Sequence, residues 1–168
     1  MNILNILSIP RIEVYIVPPH KFLVEYQQQL LPDWKIAVAS VILVLQQTTV
    51  SLKKDNESTK LEKERCRDRF IHWGCQLIAT LRQQGNHGEL FDPATGYPWL
   101  THRGMLAFDD NAAVSTLLHF PLDNYQNCSL IQHPIWKNNI YPGTIVSSAP
   151  PKIAESWCEK QLDYWYQR

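Results

Sequence analysis

The stretch that most limits how this chain can fold is residues 60–84. Advancing 100° per residue from Cys66 places Phe70, Trp73, Leu77 and Leu81 within roughly 60° of one line, so the sequence predicts a long helix with a single apolar face. Gly85 stands just past the last apolar position, where a left-handed residue ends a helix without a Cβ penalty. Cys66 lies on the stripe, and a buried inert thiol is its expected state. Cys75 falls about 180° away, so these two thiols cannot share a metal or a disulfide. A helix with one apolar face needs another layer to cover it.

The rest of the chain supplies that layer as short strands. Residues 12–17 are rich in valine, isoleucine and tyrosine and are stopped by Pro18 and Pro19. Residues 37–45 form a continuous apolar run that suits a strand buried on both faces, with residues 46–52 extending it, and residues 53–58 read as a polar loop. Two short extended pieces, 89–91 and 97–100, flank the turn Asp92-Pro93-Ala94-Thr95-Gly96. Residues 129–132 and 140–147 are two further strands. Phe22, Leu23, Tyr26 and Leu30 recur at helical spacing before Pro32, and Asp109 or Asp110 is placed to cap a short helix through Leu118. Strands mixed with helices, without regular βαβ alternation, indicate an α+β fold with a largely antiparallel sheet. At 168 residues and 45% hydrophobic content, residues 1–168 are expected to form one domain with a real core. After Pro150 and Pro151, residues 152–168 carry Trp157, Tyr164, Trp165 and Tyr166. That segment reads either as a helix docked on its own domain or as a surface for a second copy or a partner.

Sixteen basic and sixteen acidic residues cancel, which leaves no electrostatic footprint for nucleic acid or an anionic membrane. Pro10, Arg11 and Glu13 interrupt the amino-terminal apolar run well short of the ~20 residues of a membrane span, and no signal or transit pattern is present. Four scattered cysteines, without a C-x-x-C pair, suit a reducing compartment, so the expected location is the cytoplasm.

Few residues carry a chemical signature. His20, His72, His87, His102, His119 and His133 are scattered without a close ligand pair, which argues against a dedicated zinc or iron site. Gly85 and Gly88 flank a turn and lack the spacing of a phosphate-binding loop. Glu89, Asp92, Asp109 and Asp110 stand beside turns, where carboxylates usually cap. The exception is Asn127 to Trp136, NCSLIQHPIW, in which a cysteine and a histidine flank a short apolar strand. Thiolate and imidazole coordinate soft or borderline transition metals, including one held in a macrocycle. The structural alternative, which the spacing favours, has Cys128 buried and His133 hydrogen-bonded in a loop.

Several motifs taken in order, over roughly residues 12–150, resemble the methylmalonic aciduria and homocystinuria type D family. They are IEVYIVPPHKFLVEYQQQLLPD, the strand ending VILVLQQTT, FIHWGCQLIATLRQQGNHGELFDPATGYPW and NCSLIQHPIWKNNIYPGTIVSSAP. The resemblance implies a modified nitroreductase-like fold without flavin. It also implies a non-catalytic adaptor that takes cobalamin as cargo from a type C-like processing protein. The family's cobalt-facing thiolate comes from the first of two adjacent cysteines, and that position is Asn127 here, with only Cys128 following. Cys128, Asn127 and His133 are therefore the candidate cobalamin-facing residues, and Cys128 is the candidate cobalt ligand. A flavin-dependent reductase and a dimerisation module without cobalamin are the competing readings.

Overall fold

The computed structural model describes residues 2–6, 11–125 and 128–165, with side chains for 11–125 and 128–162. In chain order the elements are β1 (Asn2–Ile6), β2 (Ile12–Val17), α1 (Lys21–Leu30), β3 (Ser40–Gln47) and α2 (Glu57–Gln83). They continue as β4 (Gly88–Leu90), α3 (Asp110–Leu118), β5 (Leu122–Tyr125), β6 (Cys128–Ile131), β7 (Ile140–Ser147) and α4 (Pro151–Trp165). Five strands form one sheet in the order β1-β2-β3-β7-β4, and β5 and β6 pair separately as a ribbon. Every ladder is antiparallel. The expected α+β architecture with an antiparallel sheet is therefore present.

Strand β3 lies at the sheet's centre because it is apolar on both faces. Val41, Leu43 and Leu45 pack into one cluster with α1, α3 and Trp136, while Ile42 and Val44 pack into another with α2 and α4. The sheet is thus covered on both sides. Phe70, Trp73, Leu77 and Leu81 all lie in the second cluster, and Gly85 ends the run at φ +80°. Helix α2 starts before residue 60, because the Asn56 side chain accepts from the Thr59 N–H, a cap that periodicity cannot register in a polar first turn. Strand β3 stops at Gln47 and is not extended to residue 52. The Thr48 hydroxyl bonds to the Val50 carbonyl and the Glu62 carboxylate accepts the Thr49 N–H, which turns the chain.

The pieces around the Asp92 turn differ from two plain extended segments. Gly88–Leu90 is a true strand, but beyond the turn the expected extended piece is reduced to an isolated bridge of Pro98 with Phe91. The loop is held by the Asp92 N–H to Tyr97 carbonyl and Trp99 N–H to Leu90 carbonyl bonds and by buried Glu89, whose Oε1 accepts from the Trp99 and Leu100 N–H groups. Helix α4 docks on its own domain through buried Ala154, Cys158 and Leu162, with Trp157 partly buried beside them. Tyr166 and the side chains of Tyr164 and Trp165 lie outside the described residues. Among the described residues no helix is long and apolar enough to cross a membrane.

Candidate functional site

Between the two sheets lies a cleft of about 800 Å³. Its walls come from α2 near Arg67, the Asp92–Gly96 turn, the start of α3, strand β6 and the start of β7. Apolar residues, Leu52, Phe108, Ile131 and Ile140 among them, share its lining with the ionisable side chains of Lys63, Glu64, Arg67, Asp109 and Asp110. A concave site that combines apolar surface with polar groups is the usual form of a small-molecule site.

Local sequence fixes each wall. In the turn, Gly96 takes φ +74° and stands so close to the Phe108 backbone that a Cβ would clash with its carbonyl oxygen, which requires glycine. Asp92 organises this turn, accepting from the Ala94 N–H and the Thr95 hydroxyl. Arg67 grips the same carboxylate at both oxygens, at 2.6 Å and 3.0 Å. Burial works to raise the Asp92 pKa, but Arg67 and the turn's hydrogen bonds outweigh it and hold the carboxyl below its ordinary value.

At the start of α3, two adjacent acids take different roles. Asp109 caps the helix by accepting from the Ala112 N–H. Asp110 faces the cleft and accepts a 2.5 Å hydrogen bond from the Thr144 hydroxyl on β7. Burial pushes its pKa up to about 7; the Thr144 bond opposes this, and the Asp109 and Asp92 charges add to it. Tyr141, also on the wall, is raised by burial and then by Asp110. The site therefore holds a carboxyl that changes charge near neutral pH.

Cys128 lines this cleft and is exposed. That corrects the buried thiol of the structural reading. Cys128 stands on the two-stranded ribbon, apart from the five-stranded sheet whose central strands are buried on both faces. Asn127 lies outside the described residues. His133 does not share the cleft: it is buried against β2, 3.0 Å from Glu13 through Nε2. The other three cysteines are free and less accessible: Cys66 and Cys158 are buried and Cys75 is intermediate, and burial raises the pKa of all three. Among the described residues no group of three or more histidine, cysteine or carboxylate side chains converges on a metal position.

Arg67, Asp110, Tyr141 and Thr144 were not singled out by sequence as a constellation. Only Asp110 left a trace, as one of two acids at a helix start.

The family model described as methylmalonic aciduria and homocystinuria type D protein matches residues 7–156. Over 127 residues the chain is 23% identical to the cobalamin trafficking protein CblD of Homo sapiens, a span of 74% of this chain and 42% of that protein. It is 22% identical over 125 residues to the protein of the same name in Rattus norvegicus, covering 73% of this chain and 41% of that one. The chain thus spans about two fifths of the length of these curated relatives.

Proposed function

The chain belongs to the methylmalonic aciduria and homocystinuria type D family, and from that premise we propose that it carries cobalamin as cargo without transforming it. The observation that carries the reading is the exposed Cys128 thiol on the wall of a cleft of about 800 Å³. A thiolate there can occupy one axial position of a cobalt whose other ligands come from the corrin, so a single protein ligand suffices. The apolar part of the lining suits the edge of a macrocycle, and its polar groups suit the amide side chains.

The rest of the reading follows from the family. The antiparallel sheet covered by helices on both faces fits a modified nitroreductase-like scaffold that has no flavin. A type C-like cobalamin-processing protein is the expected donor. Trp99, Leu100 and Met105 offer it exposed apolar contacts on one loop. A homodimer is the alternative assembly. Four free thiols suit the cytoplasm.

Titration with cobalamin, with and without a type C-like protein, tests the proposal. The expected result is a change in the corrin absorbance bands that Cys128→Ser abolishes and Cys66→Ser leaves intact. Binding with identical spectra in wild type and Cys128→Ser would remove the thiol from the site. Flavin absorbance in the purified protein would favour the reductase reading instead.

A further inference from the structure

The ribbon that carries Cys128 rests on the core through buried Ile131 and partly buried Leu130, and the Asn138 amide donates to the Ile131 carbonyl; two further polar ties lie nearer its surface. Lys53 pairs with Asp123 at 3.0 Å, and the Asn111 amide donates to the Ser129 carbonyl. Both contacts are partly or fully exposed, and such contacts fix a position weakly. The two ends of the ribbon, in contrast, converge on one buried point.

That point is a polar network inside an otherwise apolar face. Glu13 on β2 accepts the Tyr15 hydroxyl at 2.6 Å and meets His133 Nε2 at 3.0 Å, both through the same oxygen. All three residues are buried. His133 Nδ1 accepts from the Ile135 and Trp136 N–H groups, at 3.2 Å and 3.0 Å. Two donors aimed at Nδ1 leave it no proton, so the ring is the neutral Nε2–H tautomer and donates to the Glu13 carboxylate. Trp136 stacks on the imidazole at 4.2 Å, and Phe120 meets it edge-on at 5.3 Å. Phe120 leads into β5, and His133 follows β6. The Gln132 N–H bonds the Pro121 carbonyl between them, so both ends of the ribbon are gathered at Glu13.

We propose that Glu13 is a positioning residue for the Cys128 strand: by holding His133 across 120 positions of chain, it fixes the root of the ribbon and so where the thiol stands on the cleft wall. The importance given to that thiol rests on the cargo reading above; the clamp itself does not. Removing the acceptor strands two buried donors, the His133 Nε2–H and the Tyr15 hydroxyl, and a buried donor without a partner does not stay in place. The ribbon then loses its anchored end while the five-stranded sheet keeps its own ladders.

Hydrogen exchange on the full chain tests this. Glu13→Gln keeps an oxygen acceptor and is expected to exchange like wild type. Glu13→Leu is expected to speed exchange in residues 122–138 at least tenfold and leave the β3 and β7 amides unchanged. His133→Asn is the second variant, because its side-chain oxygen can still accept from the following N–H groups but cannot reach Glu13. It is expected to loosen the same segment. Wild-type ribbon protection in His133→Asn, or an equal loss in both sheets, would overturn the proposal. So would a nitrogen NMR spectrum of the wild-type His133 ring showing the proton on Nδ1. None of these readouts needs cobalamin, so a wild-type chain that fails to bind it defeats the cargo reading and leaves the clamp standing.

Discussion

Asp110 gives the cleft its dependence on pH. Its folded-state pKa of about 7 stands above the ordinary 3.8, so between those values the folded chain holds a proton that the unfolded chain releases. Stability then falls as pH rises through that window, and the full penalty is present above about 7. Asp110→Asn removes the titration. It is expected to match wild type near pH 4 and to exceed it near pH 8 by up to about 4 kcal/mol in urea unfolding. An equal difference at the two pH values would mean that folding leaves the carboxyl's pKa where it is in the unfolded chain. Asp92 runs the opposite way: its lowered pKa contributes stability above the ordinary carboxylate value, and that contribution is lost on acidification. Sequence could mark Asp109 and Asp110 as a helix start, but what separates them is Thr144, 34 positions away. The same holds for Arg67, a helix-face arginine like many others until Asp92 folds against it. The exposure of Cys128 was hidden for a related reason, since the spacing of a lone cysteine and histidine does not say which strands pack around them.

At the level of elements, strands and helices with their own apolar pattern were legible, and those defined by pairing were not. Strand β2 runs from Ile12 to Val17 as its composition indicates, and α2 stops where Gly85 requires. Strand β5, LDNY, is mostly exposed and exists because it pairs with β6; its sequence alone specifies little. Strand β1, NILNI, was visible only as part of an interrupted apolar run. Strand β7 contains Pro142, unusual in a strand with neighbours on both sides. The three-residue β4 pairs only with Ile145–Ser147, so Pro142 has no partner on that side and its missing N–H goes unneeded. Next to it, a Cβ on Gly143 would sit 2.6–2.8 Å from the Phe70 ring. Gly143→Ala is therefore expected to cost roughly 1–3 kcal/mol, the range for an overpacked core. Part of that loss should return when Phe70→Leu is added. Unchanged denaturant stability in the single variant would show that the Phe70 ring can move aside.

For the whole molecule, α4 closes the core. Ala154, Cys158 and Leu162 lie in the cluster formed by α2 and one face of β2 and β3. A chain ending at Pro150 is expected to lose several kcal/mol or its cooperative thermal transition altogether, since it uncovers that face to water. A truncated chain that melts like wild type would show α4 to be dispensable, and only then could the same deletion report on an interface. The sheet order also bears on how the protein is made. Strand β3 finds one neighbour, β2, soon after synthesis, but its other neighbour is β7, with Ser40 opposite Ser147. Roughly a hundred residues must leave the ribosome before that ladder can close. During that interval the nascent chain presents an unpaired strand edge that is apolar on both faces, the kind of surface that chaperones shield from other chains.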